Sequence, residues 1–150
     1  MALEPGSDVP TIRAENQRGE AVQPGFERPT VLYFYPADDT PGCTTEASEF
    51  EAHAERFANA GVELYGISTD GVASHREFAE NQDLSFDLLA DPEGRIASAF
   101  DVELTDGRAG RTTFVIAREQ VVGVYERVAP EGHAANVFDD LVDTGLVSAE

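Results

Sequence analysis

The sequence predicts an α/β fold in which a single sheet is sandwiched by helices. Short apolar runs bounded by Gly, Pro and Asp alternate with stretches of helical period along most of the chain. Strand, helix, strand at these separations points to parallel, right-handed crossovers. Near the end, two β-rich runs flank Arg118-Glu119-Gln120 as an antiparallel hairpin, and a last amphipathic stretch follows. At 150 residues the chain is expected to form one domain with a sizeable core. No internal repeat, low-complexity tract or linker interrupts it.

Taken in order, residues 11–22 read as a short hairpin turning at Asn16-Gln17-Arg18-Gly19. Residues 31–35, Val-Leu-Tyr-Phe-Tyr, are continuously apolar or aromatic, as expected of a central strand buried on both faces. A helix follows over residues 41–60, with Ala47, Phe50, Ala54, Phe57 and Ala58 on its apolar face. Glu46, Glu49, Glu51 and Glu55 are expected largely elsewhere, and Gly61 ends the helix. Residues 62–68 form the next strand. Residues 72–81 form a helix with Phe78 and Ala79 inward, residues 86–90 a short strand, and residues 95–100 a short helix. Residues 112–117 and 121–127 form the hairpin. Residues 134–142 close the fold as a helix carrying Val137, Phe138 and Leu141. This order is compatible with a thioredoxin-like core carrying an added N-terminal β-hairpin, although periodicity alone does not select that topology.

Acids number 29 against 10 bases, a net charge of −19, and every base is arginine. A small soluble domain needs a net charge of only about 2–8 in magnitude. The acids run from Glu4 to Glu150 rather than forming a tail, so a carboxylate-coated surface is expected. Such a surface repels itself unless salt screens it, which points to adaptation to a high-salt cytoplasm. It also disfavours nucleic acid and anionic membranes as partners, since both call for basic patches. The first residues lack a basic start and an apolar stretch, so a secretory signal is not expected. A lone cysteine argues against a disulfide framework and fits a reducing, cytoplasmic setting.

That cysteine, Cys43, lies in Tyr33-Phe34-Tyr35-Pro36-Ala37-Asp38-Asp39-Thr40-Pro41-Gly42-Cys43-Thr44-Thr45-Glu46-Ala47. The central strand runs into a proline turn, which delivers the thiol to the first turn of a helix. Pro41 suits the first helical position, where its missing N–H is no loss. Thr40 then falls at the N-cap, with its hydroxyl expected to point toward the second and third helical residues, and hence toward Cys43. Gly42 leaves room for a small ligand, and Pro36 shields the sulfur on the strand side. The free N–H groups and partial positive charge of a helix start favour a thiolate, while Glu46 and the general negative field oppose it. A nearby cation is wanted, and only arginine is available.

The segment resembles the peroxiredoxins, specifically the bacterioferritin comigratory protein or peroxiredoxin Q group. Pro36, Thr40 and Cys43 match that family's Pro-x-x-x-Thr-x-x-Cys motif. Arg111, just before Thr112-Thr113-Phe114-Val115-Ile116, matches its arginine before a similar strand. The resemblance implies a thioredoxin-like three-layer sandwich and reduction of hydrogen peroxide and organic hydroperoxides. In it, Cys43 attacks the terminal peroxide oxygen and becomes a sulfenic acid. Thr40 holds the peroxide, Arg111 stabilises the thiolate and the charge developing on oxygen, and Pro36 shields the site. Backbone N–H groups of Gly42 and Cys43 help bind the substrate oxygens. No metal or organic cofactor is implied, and a monomer or weak homodimer is expected.

Many members place a resolving cysteine five residues after the reactive one. Here that residue is Ser48. The chain is therefore read as a one-cysteine enzyme, whose sulfenic acid an external thiol must reduce: thioredoxin, a low-molecular-weight thiol or another chain. The alternative is a peroxide-sensing module that passes oxidation to a partner by mixed disulfide. A disulfide reductase is disfavoured because no Cys-x-x-Cys is present. Outside the motif, a lone Cys43 would read as a small buried hydrophobe, Thr40 as a cap and Arg111 as a salt-bridge partner. His53, His75 and His133 are scattered and read as surface or packing residues. Asp38-Asp39 is assigned no acid–base work. Gly107-Arg108-Ala109-Gly110 reads as a loop, and Phe34 or Phe50 as a candidate pocket wall.

Overall fold

The computed structural model describes residues 3–38 and 40–146. Its elements are β1 (Ala14–Glu15), β2 (Ala21–Val22), β3 (Thr30–Phe34), α1 (Pro41–Asn59), β4 (Glu63–Ser68), α2 (Val72–Gln82), β5 (Asp87–Ala90), α3 (Arg95–Ala99), β6 (Leu104–Thr105), β7 (Arg108–Ala109), β8 (Thr112–Ala117), β9 (Gln120–Glu126) and α4 (His133–Asp143). Five strands form the main sheet in the order β5-β4-β3-β8-β9. β3 runs parallel to β4, and β4 to β5, whereas β8 is antiparallel to both β3 and β9. The expected crossovers and terminal hairpin are all present.

β3 is buried along its whole length, and its side chains divide between two apolar layers. Val31, Tyr33 and Tyr35 pack with Phe50 and Phe57 of α1, Phe78 of α2, and Val137, Phe138 and Leu141 of α4. Leu32 and Phe34 face the opposite layer with Phe26, Ile67, Ile96, Phe100 and Phe114. Alternate side chains of a strand point to opposite faces, so a strand buried on both must be apolar throughout. The result is a three-layer sandwich, with α1, α2 and α4 on one side and α3 plus the N-terminal segment on the other. Gly66 lets the middle layer close, since a Cβ there would meet the Tyr33 ring at 2.9 Å.

The N-terminal hairpin is fastened through its turn. Asn16 Oδ1 accepts from the backbone N–H groups of Arg18 and Glu20. The Gln17 amide then reaches the outer edge of β5, donating to Phe86 O and accepting from Leu88 N. One side chain thereby covers a sheet edge that would otherwise present open donors and acceptors.

Two expectations need correction. Glu46 is not on the solvent face of α1 but buried, while Ala58 is exposed. Residues 107–110 are not simply loop: β7 pairs with β6 around Asp106-Gly107, both at positive φ. Asp-Gly is a strong signal for such a two-residue turn, and it is present in the sequence.

Candidate active site

The site forms where the C-terminal end of β3 meets the start of α1. The antiparallel register pairs Phe34 with Thr112, so the residue before β8 arrives beside the same loop. That residue is Arg111, 68 positions from Cys43 in sequence. Its Nη2 donates to Cys43 Sγ at 3.2 Å. Its Nη1 donates to Glu46 Oε1 at 2.7 Å. One guanidinium therefore bridges the thiol and a carboxylate that sit one helical turn apart.

Cys43 is 1 % exposed and is the third residue of α1. Its N–H and that of Gly42 belong to the first turn, which has no intrahelical acceptors. The first helical bond runs from Thr44 N to Thr40 O at 2.9 Å. Gly42 is half-buried, and its open side is filled by the protein itself. A Cβ at Gly42 would lie 2.6 Å from Arg111 Nη2 and 3.4 Å from Pro130 Cγ. The room expected for a small ligand is thus the passage through which Arg111 reaches the sulfur.

Thr40 is the N-cap, as expected, but its hydroxyl makes no bond to the helix backbone. It turns back and donates to Ala37 O at 3.2 Å. A loop carbonyl needs a donor, and this one takes it from Thr40. Among the described residues no donor reaches the hydroxyl's lone pairs. Pro36 bends the chain directly after Tyr35 and is half-buried. Phe50 stacks on Tyr33 in the layer that holds Cys43, with ring centroids 4.5 Å apart. Phe34 lies in the opposite layer, so only Phe50 remains a candidate wall residue. Ser48 is exposed on α1.

Glu46 is the residue the sequence analysis left out of the site. It is 1 % exposed, and burial pushes its carboxyl up to about 7, although the Arg111 charge and hydrogen bond pull the other way. The nearby Glu49 charge adds to the rise. Among the described residues its second oxygen, Oε2, has no hydrogen-bond partner, nor does the buried Tyr33 hydroxyl. Burial, then the charges of Glu46 and Cys43, hold the Tyr33 phenol well above its ordinary range. The available signal was spacing: Glu46 follows Cys43 by three residues and immediately precedes Ala47 of the apolar face. Among the histidines, His53 Nδ1 lies 3.0 Å from Glu49 O, and His133 Nε2 lies 2.9 Å from Thr113 Oγ1. His75 is fully buried in a network with Asp38. Asp39 lies outside the described residues.

A buried thiol at a helix start, held by an arginine from a neighbouring strand, is an arrangement for making and using a thiolate. Comparison with known proteins agrees. Residues 5–125 match the model of the AhpC/TSA family. The chain is 35% identical to the putative peroxiredoxin bcp of Coxiella burnetii, over 94% of this chain and 100% of that one. It is 35% identical to peroxiredoxin Bcp of Bacillus subtilis, over 95% and 98%. To the chloroplastic peroxiredoxin Q of Oryza sativa subsp. japonica it is 41% identical, over 85% of this chain and 62% of that longer protein. Among solved structures, peroxidoxin BcpB from Mycobacterium tuberculosis superimposes with a TM-score of 0.87 at 33% identity, covering 94% of this chain and 97% of that one.

Fold and site together define a thiol-dependent peroxidase of thioredoxin-like architecture. The chain belongs to the AhpC/TSA family, and its relatives there are the Bcp and peroxiredoxin Q proteins.

Proposed function

We propose that Cys43 is the peroxidatic residue and that it reduces hydrogen peroxide and organic hydroperoxides in a one-cysteine cycle. The observation that carries this reading is the 3.2 Å contact from Arg111 Nη2 to Cys43 Sγ at the start of α1. The arginine favours the thiolate by placing a fixed positive charge beside it. The thiolate attacks the terminal peroxide oxygen, the O–O bond breaks, and the leaving oxygen departs with a proton as water or alcohol. Cys43 is left as a sulfenic acid. Thr40, whose hydroxyl proton is engaged by Ala37 O, accepts from the peroxide O–H. Arg111 and the first-turn N–H groups of Gly42 and Cys43 face the negative charge that develops on oxygen. Pro36 closes the strand side.

Cys43 is the chain's single cysteine, and Ser48 offers no sulfur. Two equivalents of external thiol therefore return the sulfenic acid to thiol, yielding a disulfide of the reductant and water. A thioredoxin-like protein or a low-molecular-weight thiol fills that role. We place the protein in a salt-rich cytoplasm as a monomer or weak homodimer, with neither nucleic acid nor membrane as partner. The net charge of −19 supports this setting, and among the described residues no helix is long and apolar enough to cross a membrane.

The test is one equivalent of hydrogen peroxide added to reduced protein, with free thiol followed in time and the product trapped for mass analysis. Rapid loss of one thiol, with a sulfenic acid trapped on Cys43, is expected, and Cys43→Ser should show no reaction. A thiol that reacts no faster than free cysteine, in low and high salt alike, would refute the proposal.

A further inference from the structure

The loop that carries Pro36 and Thr40 is tied down from behind by groups that never touch the sulfur. Asp38, one of its residues, is buried, and its carboxylate is surrounded by donors. The Tyr35 hydroxyl donates to Oδ1 at 2.7 Å. The Ser74 hydroxyl and His75 Nδ1 lie 2.7 and 2.8 Å from Oδ2. The backbone N–H of Asp38 donates to Asp70 Oδ2 at 2.7 Å. Both side chain and main chain of one loop residue are therefore anchored, on α2 and on the turn after β4.

His75 is fully buried, and both of its ring nitrogens face acceptors. Nδ1 meets the Asp38 carboxylate, and Nε2 lies 3.1 Å from Leu89 O on β5. The Tyr35 hydroxyl also lies 3.4 Å from Nδ1, so the ring is held from three sides. The pair joins β5 and α2 to the active-site loop. Burial alone would raise the Asp38 carboxyl, but the bonds from His75, Tyr35 and Ser74 hold it below its ordinary range. Asp38, Asp70 and His75 also bring possible metal-ligand atoms within 4.8 Å of one another. Those atoms are spent on each other and on the loop, so the cluster is a hydrogen-bonded tie.

We propose that the buried Asp38–His75 pair, reinforced by Ser74 and Asp70, is a positioning device for peroxide reduction, holding Pro36, Ala37 and Asp38 so that Thr40 stands over Cys43. The proposal rests on the peroxidase reading above. Asp38 acts through the chain: Ala37 O, next to it, takes the Thr40 hydroxyl proton, and Thr40 O takes the first helical N–H. Loosening Asp38 therefore displaces the peroxide acceptor without removing Arg111 from the thiol.

Two reactions of the same sulfur separate these effects. Peroxide reduction requires Thr40 in place, whereas alkylation by iodoacetamide requires only an accessible thiolate. In the full chain, Asp38→Asn should slow reaction with hydrogen peroxide by about 10–100-fold, the size expected for an ångström-scale misplacement. Alkylation should hold within about twofold or quicken, as the reactive group itself is unaltered. Ser74 is exposed, so Ser74→Ala should fold even if Asp38→Asn does not, and should show a several-fold loss with the same selectivity. Peroxide rates unchanged in the folded variants, or both reactions slowed in proportion, would overturn the positioning role alone. A wild-type protein without rapid peroxide reaction would overturn the peroxidase reading and the positioning role with it.

Discussion

At the residue scale the site depends on one guanidinium shared between two partners. Glu46, held up to about 7, changes charge in the neutral range. When protonated, it leaves the Arg111 charge to the thiol; when ionised, it competes for that charge. Glu46→Gln should therefore abolish an ionisation near neutrality in the pH–rate profile. The check is the peroxide rate constant measured from pH 5 to 9. Gly42→Ala tests the passage. Alanine favours a helix over glycine by about 0.5–1 kcal/mol, so stability should hold or rise. A Cβ 2.6 Å from Arg111 Nη2 must nevertheless displace the guanidinium. The peroxide rate should fall by about 10–100-fold, since positioned charge is what such sites rely on. Cys43, Thr40 and Arg111 were named through the resemblance to a family's motifs, and the structure sets Arg111 against Cys43. Glu46 was not, because helical spacing cannot show that Arg111 returns from 65 residues away to meet it. The Thr40 hydroxyl was misdirected because a cap rule does not see the competing Ala37 carbonyl.

At the element scale, α1 and α4 meet through aromatic packing around His133, the first residue of α4. Its ring sits edge-on to Phe50 at 5.8 Å and to Tyr125 at 5.2 Å. Burial lowers its pKa to about 4, only partly opposed by Asp140. The unfolded chain therefore takes up a proton between about pH 6.5 and 4 that the native state refuses. His133 thus favours the native state fully above pH 6.5 and progressively less as pH falls toward 4. Glu46 has the opposite sign: its raised pKa makes the native state the better proton acceptor from about 4.5 to 7, so its contribution worsens as pH rises. In His133→Gln, stability relative to wild type should improve as pH falls from 6.5 to 4, read from urea midpoints at each pH. Most element bounds were visible in apolar periodicity and in Gly and Pro punctuation. The β6–β7 hairpin escaped because two-residue strands with exposed Leu104 carry no periodic signal, leaving only Asp106-Gly107 to mark it.

At the scale of the whole molecule, carboxylates outnumber arginines 29 to 10. One arginine, Arg18, is already shared between Glu20 and Asp87. Most of the acidic surface must rely on solvent ions for relief. The screening length shrinks from about 10 Å at 0.1 M salt to about 3 Å at 1 M. Thermal unfolding should accordingly shift upward in molar KCl relative to dilute buffer, and equal midpoints would argue against salt adaptation. The charge excess was fully legible from composition, while the pairing of half-buried Arg111 with buried Glu46 was not.

On the proposed peroxidase cycle, the shared guanidinium would also couple electrons to protons. A thiolate carries a negative charge that Arg111 must divide with Glu46, whereas a sulfenic acid is neutral. Once Cys43 is oxidised, the arginine serves Glu46 alone, and the carboxyl loses affinity for its proton. Oxidation near neutral pH should therefore release a proton from a residue that takes no part in the bond changes, a release that a pH indicator would read on adding peroxide. On that cycle the oxidised protein would differ from the reduced one in charge beside the sulfur, so that an arriving thiol would meet a pocket already reset.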